Sequence, residues 1–468
     1  MSGPAAAAPV TTAALESRAA QALECARRAG AAHAEACVEG ARDFSVRVRG
    51  GAIETLKQSG TRGLGLRVIV GDAVGFVSST DLRPEALADL ARNAVTLARF
   101  STADPANVLP APGDLADGTA GMSHEDLALF DPAVVELPAD RKIEMALALE
   151  RLTLAHDPRI RRTDAVGVSS RDGAVVIANT HGLLRAWSAT AMSLFSVALA
   201  DDRDGKQRTG GYGVCKRALA DLPPVEAVAT EAARRAVARI GARSVPSARV
   251  PVVMHPDIAA AWLSEMYDAF TGEAVLKQAS WLTGKLDQPV AAPRVTIVDD
   301  GRMPRGVGTQ PCDGEGVPTR GNVLVDRGRL AMFTYDTYTA RRAGTRSTGN
   351  AVRSYSSVPG IGYHNLHIAA GDQTPESILA RVDRGFYMDD QGSFGFNEVT
   401  GDYSFQAQGF WIEKGEKAFP VDGVTVASSS LAMLRNIEAV GDDLRFDDQV
   451  AAPTLLIAEM TVSGAGGG

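Results

Sequence analysis

The sequence predicts an α+β protein in which two N-terminal α/β units precede a strand-rich C-terminal domain. Up to about residue 245, segments with helical apolar spacing alternate with short strand-like runs, and beyond residue 249 almost every predicted segment is a strand. A stretch rich in Pro, Ala, Gly and Asp separates the first two units and is typical of a linker. The predicted boundaries are 11–105 for the first unit, 106–120 for the linker, 121–245 for the second unit and 249–464 for the C-terminal domain.

The first unit is predicted to begin with a helix over 11–30, with Thr12 as its N-cap and Gly30 at its end. A second helix is expected to start near Pro84 and to run to about Arg99. Between the helices, the predicted strands are 34–38, 44–48, 64–70 and 74–77, with turns at Gly50-Gly51 and Gly71-Asp72. The pattern therefore predicts two helices on a sheet of hairpin-linked strands.

The second unit is predicted to begin with a helix over 139–156 and to end with an amphipathic helix over 223–242. Turn signals at Asp172-Gly173 and at 179–182 divide the strands between them, and a long strand is expected over 184–199. The polar, Gly-rich stretch 201–213 is too irregular for a helix or strand and is predicted as a loop.

The C-terminal domain is organised around residues 251–288. The β-branched run 250–254 predicts a buried strand, Pro256-Asp257 opens an amphipathic helix, and Gly272 is its predicted end. A later helix is expected with Thr374 as its N-cap. The other predicted strands are 295–298, 322–325, 330–335, 409–412, 419–426 and 455–461, with two-residue turns at Arg327-Gly328 and Lys414-Gly415.

The composition, with 45% hydrophobic and 22% charged residues, is typical of a soluble globular protein. The net charge of −8 argues against nucleic-acid binding, which depends on basic surfaces over phosphates. Cys25, Cys37, Cys215 and Cys312 form no CxxC or Cys/His cluster, which predicts reduced thiols and a cytoplasmic protein. No long apolar run and no signal-peptide pattern occurs, so neither a membrane span nor export is predicted.

The central predicted helix stands where an HExxH or HExxxH pair could place two zinc-binding His on one face, with Glu as general base. The nearest His is His255, in the turn before the helix. Glu265 and Asp268 share a helix face and are candidates for acid and base, although solvated carboxylates are the more ordinary interpretation. His364 and His367 lie in a strand-like stretch where positions i and i+3 point to opposite faces, which does not favour a metal pair.

Several segments together resemble the TldD/PmbA family, also called TldD/TldE, over roughly residues 15 to 464. The segments that carry the resemblance are TRGLGLRVIVGDAVGFVSSTDL, DGEGVPTRGNVLVDRGRL, TYTARRAGTRSTGNA, TGDYSFQAQGFWIEKGEKAFPVDGVTVASSS and LRNIEAVGDDLRF. For the fold, the resemblance implies a C-terminal domain of curved antiparallel β-sheet that is barrel-like.

The family has two branches that pair with each other, and the resemblance implies different roles for them. The TldD branch carries HExxxH and a later Cys and is a zinc metallopeptidase subunit, whereas the TldE (PmbA) branch lacks that set. With Gly272 as anchor, the two His positions of the motif fall on Leu263 and Asp268, the Glu position on Ser264, and the Cys position near Ala407. The resemblance therefore implies a TldE-type chain without catalytic or metal-ligating residues, with zinc in a TldD-type partner.

Five residues are candidates for substrate binding or for a subunit interface. Arg341 and Arg342 could contact a substrate backbone or a partner, with a solvated loop as the ordinary alternative; Arg320 lies in a family segment that could line a cavity or an interface. Phe410 and Trp411 are more often core residues than interface residues.

Three functions stay open at this point. The first is a non-catalytic subunit of a TldD–TldE zinc metallopeptidase complex that hydrolyses or matures peptides and unfolded polypeptides. The second is a metallopeptidase that acts alone through a divergent metal site. The third is a non-enzymatic peptide-binding scaffold.

Overall fold

The computed structural model describes residues 11–115, 125–203, 205–392 and 395–464. Its helices are α1 (Thr12–Arg28), α2 (Pro84–Phe100), α3 (Pro112–Leu115), α4 (Pro132–Glu136), α5 (Ala139–Ala155), α6 (Val225–Ala238), α7 (Pro256–Met266), α8 (Gly272–Leu276), α9 (Thr337–Ala343), α10 (Pro375–Ala380) and α11 (Ser430–Arg435). Two 3₁₀ turns cover Leu219–Asp221 and Tyr267–Phe270.

The strands are β1 (His33–Arg49), β2 (Ala52–Val70), β3 (Ala73–Ser79), β4 (Ile160–Asn179), β5 (Leu184–Asp201), β6 (Gln207–Lys216), β7 (Ala248–Met254), β8 (Ile297–Asp300), β9 (Gly321–Asp326), β10 (Arg329–Leu330), β11 (Ala351–Val352), β12 (Gly360–Ile361), β13 (Leu366–Ile368), β14 (Arg384–Gln391), β15 (Asp402–Glu413), β16 (Glu416–Ser429), β17 (Ile437–Val440), β18 (Val450–Ala451) and β19 (Leu455–Gly464). The predicted α+β class is confirmed, with 26% helix and 40% strand.

The two N-terminal units share one antiparallel sheet with the strand order β3-β2-β1-β4-β5-β6. Strand β1 joins them because it pairs with β2 on one side and with β4 on the other. Ala36 packs in the cluster under α1 and α2, and Val46 packs in the cluster under α5 and α6. Because the two residues are an even number of positions apart on β1, both helix pairs cover the same face of the sheet.

Three predictions for these units are wrong in detail. Asp172-Gly173 is not a turn but the middle of β4, where Gly173 pairs with β1 and with β5. The Gly-rich stretch predicted as a loop contains most of β6, and a Cβ on Gly210 would lie 2.1 Å from a backbone nitrogen of α6. The N-cap of α1 is Thr11, not Thr12. In the first two cases the long strands on either side override the local turn and loop signals.

The C-terminal domain contains a closed five-stranded barrel, in agreement with the resemblance. The ring runs β7-β14-β15-β16-β19 and closes through a further pairing of β19 with β7. Its strands are antiparallel except for β7 and β14, which are parallel. A second sheet, β10-β9-β8-β13-β18, packs beside the barrel, and α7 lies in the apolar core that they share.

Several local predictions in this domain are confirmed. Helix α7 follows β7 as predicted, but it ends at Met266 and passes into a 3₁₀ turn, so Gly272 begins α8 instead of ending α7. The hairpin turn before β16 has Lys414 at φ 53° and Gly415 at φ 79°, and Thr374 accepts a hydrogen bond from the backbone N–H of Ser377 as the N-cap of α10. The strand predicted over 330–335 is short, since β10 ends at residue 330.

The predicted linker is described only up to residue 115, and its residues 116–120 lie outside the described ranges, as do residues 121–124 of the second unit. Ala106 and Leu109 are buried, so the described part of the stretch packs against the protein. The domain boundaries themselves stay predictions.

Candidate functional site

Helix α7 is fixed by a cap at its start and by the barrel core along its length. His255 accepts a hydrogen bond through Nδ1 from the backbone N–H of Asp257 at 3.1 Å. Trp262 is fully buried, and its indole N–H donates to Ser430 Oγ at 3.0 Å. These contacts fix both the start of the helix and its middle against the core.

The four positions that the resemblance assigns to the zinc motif fall into different environments. Leu263 and Ala407 are 0% and 2% exposed and belong to the same apolar core cluster. The hydroxyls of Ser264 and Tyr363 are hydrogen-bonded at 2.9 Å. Asp268 is exposed. The structure therefore brings Leu263 and Ala407 into one core and places Asp268 at the surface.

The donor chemistry of these positions does not fit zinc. Zinc in proteins takes nitrogen, sulfur and oxygen ligands, and the side chains of Leu263 and Ala407 supply none. Among the residues that the structure describes, no group of three or more His, Cys, Asp or Glu side chains is arranged to hold a metal ion. The absence of zinc from this chain stays a prediction.

Glu265, two residues beyond Leu263, has an unusual environment. Its Oε2 atom is buried and has no hydrogen-bond partner within the described ranges. Burial, and then the carboxylate of Glu398, raises the pKa of Glu265. A carboxyl group that keeps its proton can donate a hydrogen bond. Its predicted acid–base companion, Asp268, is exposed, whereas Glu265 is half-buried.

The two predicted arginines on α9 lie in different surroundings. Arg341 lines a groove of about 490 Å³ between the N-terminal sheet, the linker stretch and α9. The same groove contains His33 and His181, whose ring nitrogens are 3.0 Å apart. Arg342 instead donates to Asp104 Oδ2 at 2.9 Å. Arg341 is thus available to a ligand in the groove, whereas Arg342 connects α9 to the segment before the linker.

Phe410 and Trp411 point to opposite faces of β15. Trp411 is buried in the barrel core, and Phe410 lines a pocket of about 270 Å³ between α6 and the barrel. In this pocket the Lys417 ammonium lies 3.3 Å from the ring centre of Tyr387, and burial lowers the pKa of Lys417 to about 8. Burial also lowers the pKa of His255, on the same pocket wall, to about 4. The pocket therefore holds a neutral imidazole and a weakly basic amine near neutral pH.

Arg320, the remaining predicted residue, is half-buried just before β9. Its backbone carbonyl accepts a hydrogen bond from the N–H of Gly301 at 2.9 Å. The segment before it carries the fully buried Glu315. Glu315 Oε2 accepts from the backbone N–H of Thr337 at 2.8 Å.

Glu315 belongs to a buried ion cluster that we define as Glu35, Arg67, Glu315 and Arg353. Arg67 lies 3.1 Å from Glu315 and 3.3 Å from Glu35, which faces it across the β1–β2 register. Arg353 donates to the same Glu35. Burial raises the pKa of Glu315 to about 7, although Arg67 acts in the opposite direction. The cluster connects the N-terminal sheet to the C-terminal domain, and no local sequence signal brings its members together.

Comparisons with known proteins cover nearly the whole chain. Models described as PmbA/TldA metallopeptidase domain 1, central domain and C-terminal domain match residues 34–98, 133–240 and 247–464. The Escherichia coli O157:H7 protein named metalloprotease PmbA is 31% identical over 432 residues, which is 92% of each chain. A Haemophilus influenzae homologue of metalloprotease TldD is 28% identical and covers 86% of this chain and 87% of its own.

Solved structures share the fold. A Thermotoga maritima protein described as a candidate modulator of a DNA gyrase superposes with a TM-score of 0.85 at 26% identity, covering 96% of this chain and 100% of that one. TldE from Thermococcus kodakarensis superposes with a TM-score of 0.86 at 22% identity, covering 96% and 100%. In the described part of the chain, no helix has the length and apolar character to cross a membrane. From these matches, the chain belongs to the PmbA/TldD metallopeptidase family.

Proposed function

We propose that this chain is the non-catalytic, TldE/PmbA-type subunit of a TldD–TldE zinc metallopeptidase complex. The observation that carries the proposal is the buried apolar pair Leu263 and Ala407 at two positions where the resemblance expects zinc ligands. Without zinc, the pKa of a water molecule stays near 15.7 instead of about 7, so a hydroxide nucleophile is not formed at neutral pH. The hydrolytic chemistry then belongs to the TldD-type partner.

In this proposal the chain completes a chamber in the cytoplasm into which peptides and unfolded polypeptides enter for hydrolysis or maturation. The groove with Arg341 and the pocket with Phe410 are its candidate contact sites for peptide or partner. Arginine can bind carboxylates and backbone carbonyls, and an aromatic ring can bind apolar side chains.

A second function, peptidase activity of this chain alone, is favoured by one observation: the 31% identical relative is itself named a metalloprotease. It would need a metal site that differs from the HExxxH pattern. A scaffold that binds peptides without any TldD-type partner is the third possibility left by the sequence.

The test is co-purification with the TldD-type protein of the same organism, with zinc content and peptide hydrolysis measured on each chain and on the complex. We expect a stable complex, zinc in the partner only, and hydrolysis only when the partner is present. Stoichiometric zinc and hydrolysis in this chain alone would favour the second function. A chain that binds peptides but not the TldD-type protein would favour the third.

A further inference from the structure

The pocket with Phe410 presents more positive than negative charge. Three cationic side chains line it, those of Arg234, Arg235 and Lys417, against the single carboxylate of Asp389. That carboxylate is already engaged, because its Oδ1 accepts a hydrogen bond from Arg239 at 3.1 Å. The chain as a whole has a net charge of −8, so the pocket differs in sign from the rest of the molecule. A cationic pocket favours an anionic ligand.

The two arginines of the pocket are held in place by carboxylates outside its lining. Glu231 accepts hydrogen bonds from Nε and from Nη2 of Arg234, each at 2.8 Å. Arg235 donates to Glu231 at 2.7 Å and to Asp257 at 2.6 Å. Among the residues that the structure describes, none accepts a hydrogen bond from Nη1 of Arg234. This group remains available to a ligand.

Lys417 is the cation of the pocket that lacks a counter-ion. Its ammonium lies 3.3 Å from the ring centre of Tyr387 and 5.4 Å from that of Phe410. Within the described ranges, no carboxylate forms an ion pair with it. An ammonium placed against apolar rings loses part of its hydration, and an anion beside it would offset that loss.

His255 adds a neutral donor to the pocket. Its Nδ1 accepts from the backbone N–H of Asp257, and its pKa is lowered to about 4, so near neutral pH the ring carries its one proton on Nε2. No acceptor for this N–H occurs in the described part of the chain. The imidazole can therefore donate to a ligand without carrying a charge.

The remaining walls of the pocket are apolar. The rings of Tyr387 and Phe410 form one wall, with their centres 6.5 Å apart, and Ala238 lies on the α6 side. The volume of about 270 Å³ exceeds the roughly 150 Å³ of a cavity that holds benzene. There is thus room for an aromatic side chain together with a charged group.

We propose that the pocket with Phe410 binds a carboxylate that is attached to an apolar side chain, as at the C-terminal residue of a peptide or in a free N-acylated amino acid. Lys417 pairs with the carboxylate, and the donors of Arg234 and His255 are available to its oxygens. The apolar side chain packs against Tyr387 and Phe410. The inference deepens the proposed function and rests on it, because that function makes this pocket a contact site for peptides.

Isothermal titration calorimetry of the full chain at pH 7 tests the ligand class. The probes are N-acetylphenylalanine and an acetylated tetrapeptide that ends in phenylalanine, each as the free acid and as the amide. The acids should bind with a Kd below about 1 mM, and the amides at least about tenfold more weakly. A tetrapeptide acid that binds more tightly than N-acetylphenylalanine identifies a peptide C-terminus as the source, and equal affinity identifies the terminal residue alone. Acids that bind no more tightly than their amides overturn the proposal.

Substitutions of Lys417 test its place in the site. Lys417→Met keeps the length of the side chain but removes the charge, and should weaken binding of the acids roughly 10–100-fold. Lys417→Arg should retain binding, and the control Lys57→Met, on an exposed stretch of β2, should leave it unchanged. A Lys417→Met variant that binds the acids as well as wild type overturns the proposal.

The pH dependence separates an ammonium from any other anion-binding group. The charged groups that face Lys417 are Asp389 from β14, Arg234 and Glu231 from α6, and Glu376 from α10. Their ordinary pKa values lie roughly three or more units from 8, although burial raises that of Asp389. The pKa of Lys417 is about 8, so at pH 9 about a tenth of its amine is protonated, and wild type should bind about tenfold more weakly than at pH 7.

The Lys417→Arg variant should show no such decrease, because arginine stays charged throughout this range. A wild-type affinity that is the same at pH 7 and pH 9 overturns the role of Lys417. All of these measurements use the chain without a TldD-type partner. A failure to bind carboxylates therefore leaves the result of the co-purification untouched, and a failed co-purification does not alter the binding result.

Discussion

The substitution Glu315→Gln isolates the cost of ionising one carboxyl group inside the buried ion cluster. Glu315 is fully buried, and its pKa is raised from the ordinary 4.5 to about 7 in the folded chain. Between pH 4.5 and about pH 7, Glu315 therefore keeps its proton in the folded state but has released it in the unfolded state. Stability contributed by this group is therefore present at low pH and is lost as the pH rises to about 7, the reverse of an ordinary ion-paired carboxylate.

Glutamine has nearly the same shape as a protonated glutamate and does not titrate. At pH 5 the folded wild type also has a largely neutral Glu315, so the variant should resemble it. At pH 8 only the wild type carries the cost of a buried charge. One pKa unit corresponds to about 1.4 kcal/mol, so the stability of the variant relative to wild type should rise by roughly 2–3 kcal/mol from pH 5 to pH 8.

Scanning calorimetry at both pH values measures this difference as a change in Tm. For a cooperative unit of 150–250 residues, the expected gain corresponds to roughly 5–10 °C. Glu459→Gln is the control, because Glu459 is exposed and pairs with Arg249 at the surface; its Tm difference from wild type should not change with pH. A Glu315→Gln variant whose Tm difference is the same at pH 5 and pH 8 would refute the reasoning.

Three further outcomes follow from the packing. Arg353→Met should cost about 3–5 kcal/mol because it removes one of the two arginines that neutralise the buried Glu35, whereas Arg249→Ala at the surface should change stability by at most about 0.5 kcal/mol; thermal denaturation compares them. Gly210→Ala should cost about 1–3 kcal/mol because its Cβ would lie 2.1 Å from the α6 backbone, and a circular-dichroism melt that matches wild type would contradict this. An amine-reactive ester at pH 8 should modify Lys417 faster than the exposed Lys57, since a lowered pKa leaves more neutral amine; peptide mapping that finds equal rates would contradict this.

Much of the local structure could be predicted because its causes are local. A left-handed residue followed by Gly415 makes the hairpin turn at Lys414, and the Thr374 hydroxyl caps α10. Helix α7 follows from an apolar spacing that matches one buried face. In each case a few neighbouring residues decide the backbone, so no distant contact is needed.

The predictions that were wrong concern residues whose structure is decided by distant contacts. Asp172-Gly173 has the composition of a turn, but strands on both sides hold Gly173 in an extended ladder. Gly210 looks like part of a loop, yet it is a small residue that allows α6 to approach β6. Of the candidate site, Phe410 and Arg341 do line cavities. The sequence could not predict which distant segments would form the other walls.

The apolar residues at the positions that the resemblance assigns to zinc ligands also contribute to the stability of the core. Leu263 and Ala407 come from α7 and from β15, and both pack in the core that the barrel shares with its neighbouring sheet. Replacing Leu263 with a zinc ligand such as His would bury a polar ring in this core and would remove apolar contacts at the same time. Neither loss is offset unless the other ligands and the metal are also present. At the positions that the resemblance assigns to the HExxxH motif, a single substitution should therefore destabilise the core without supplying a complete zinc site.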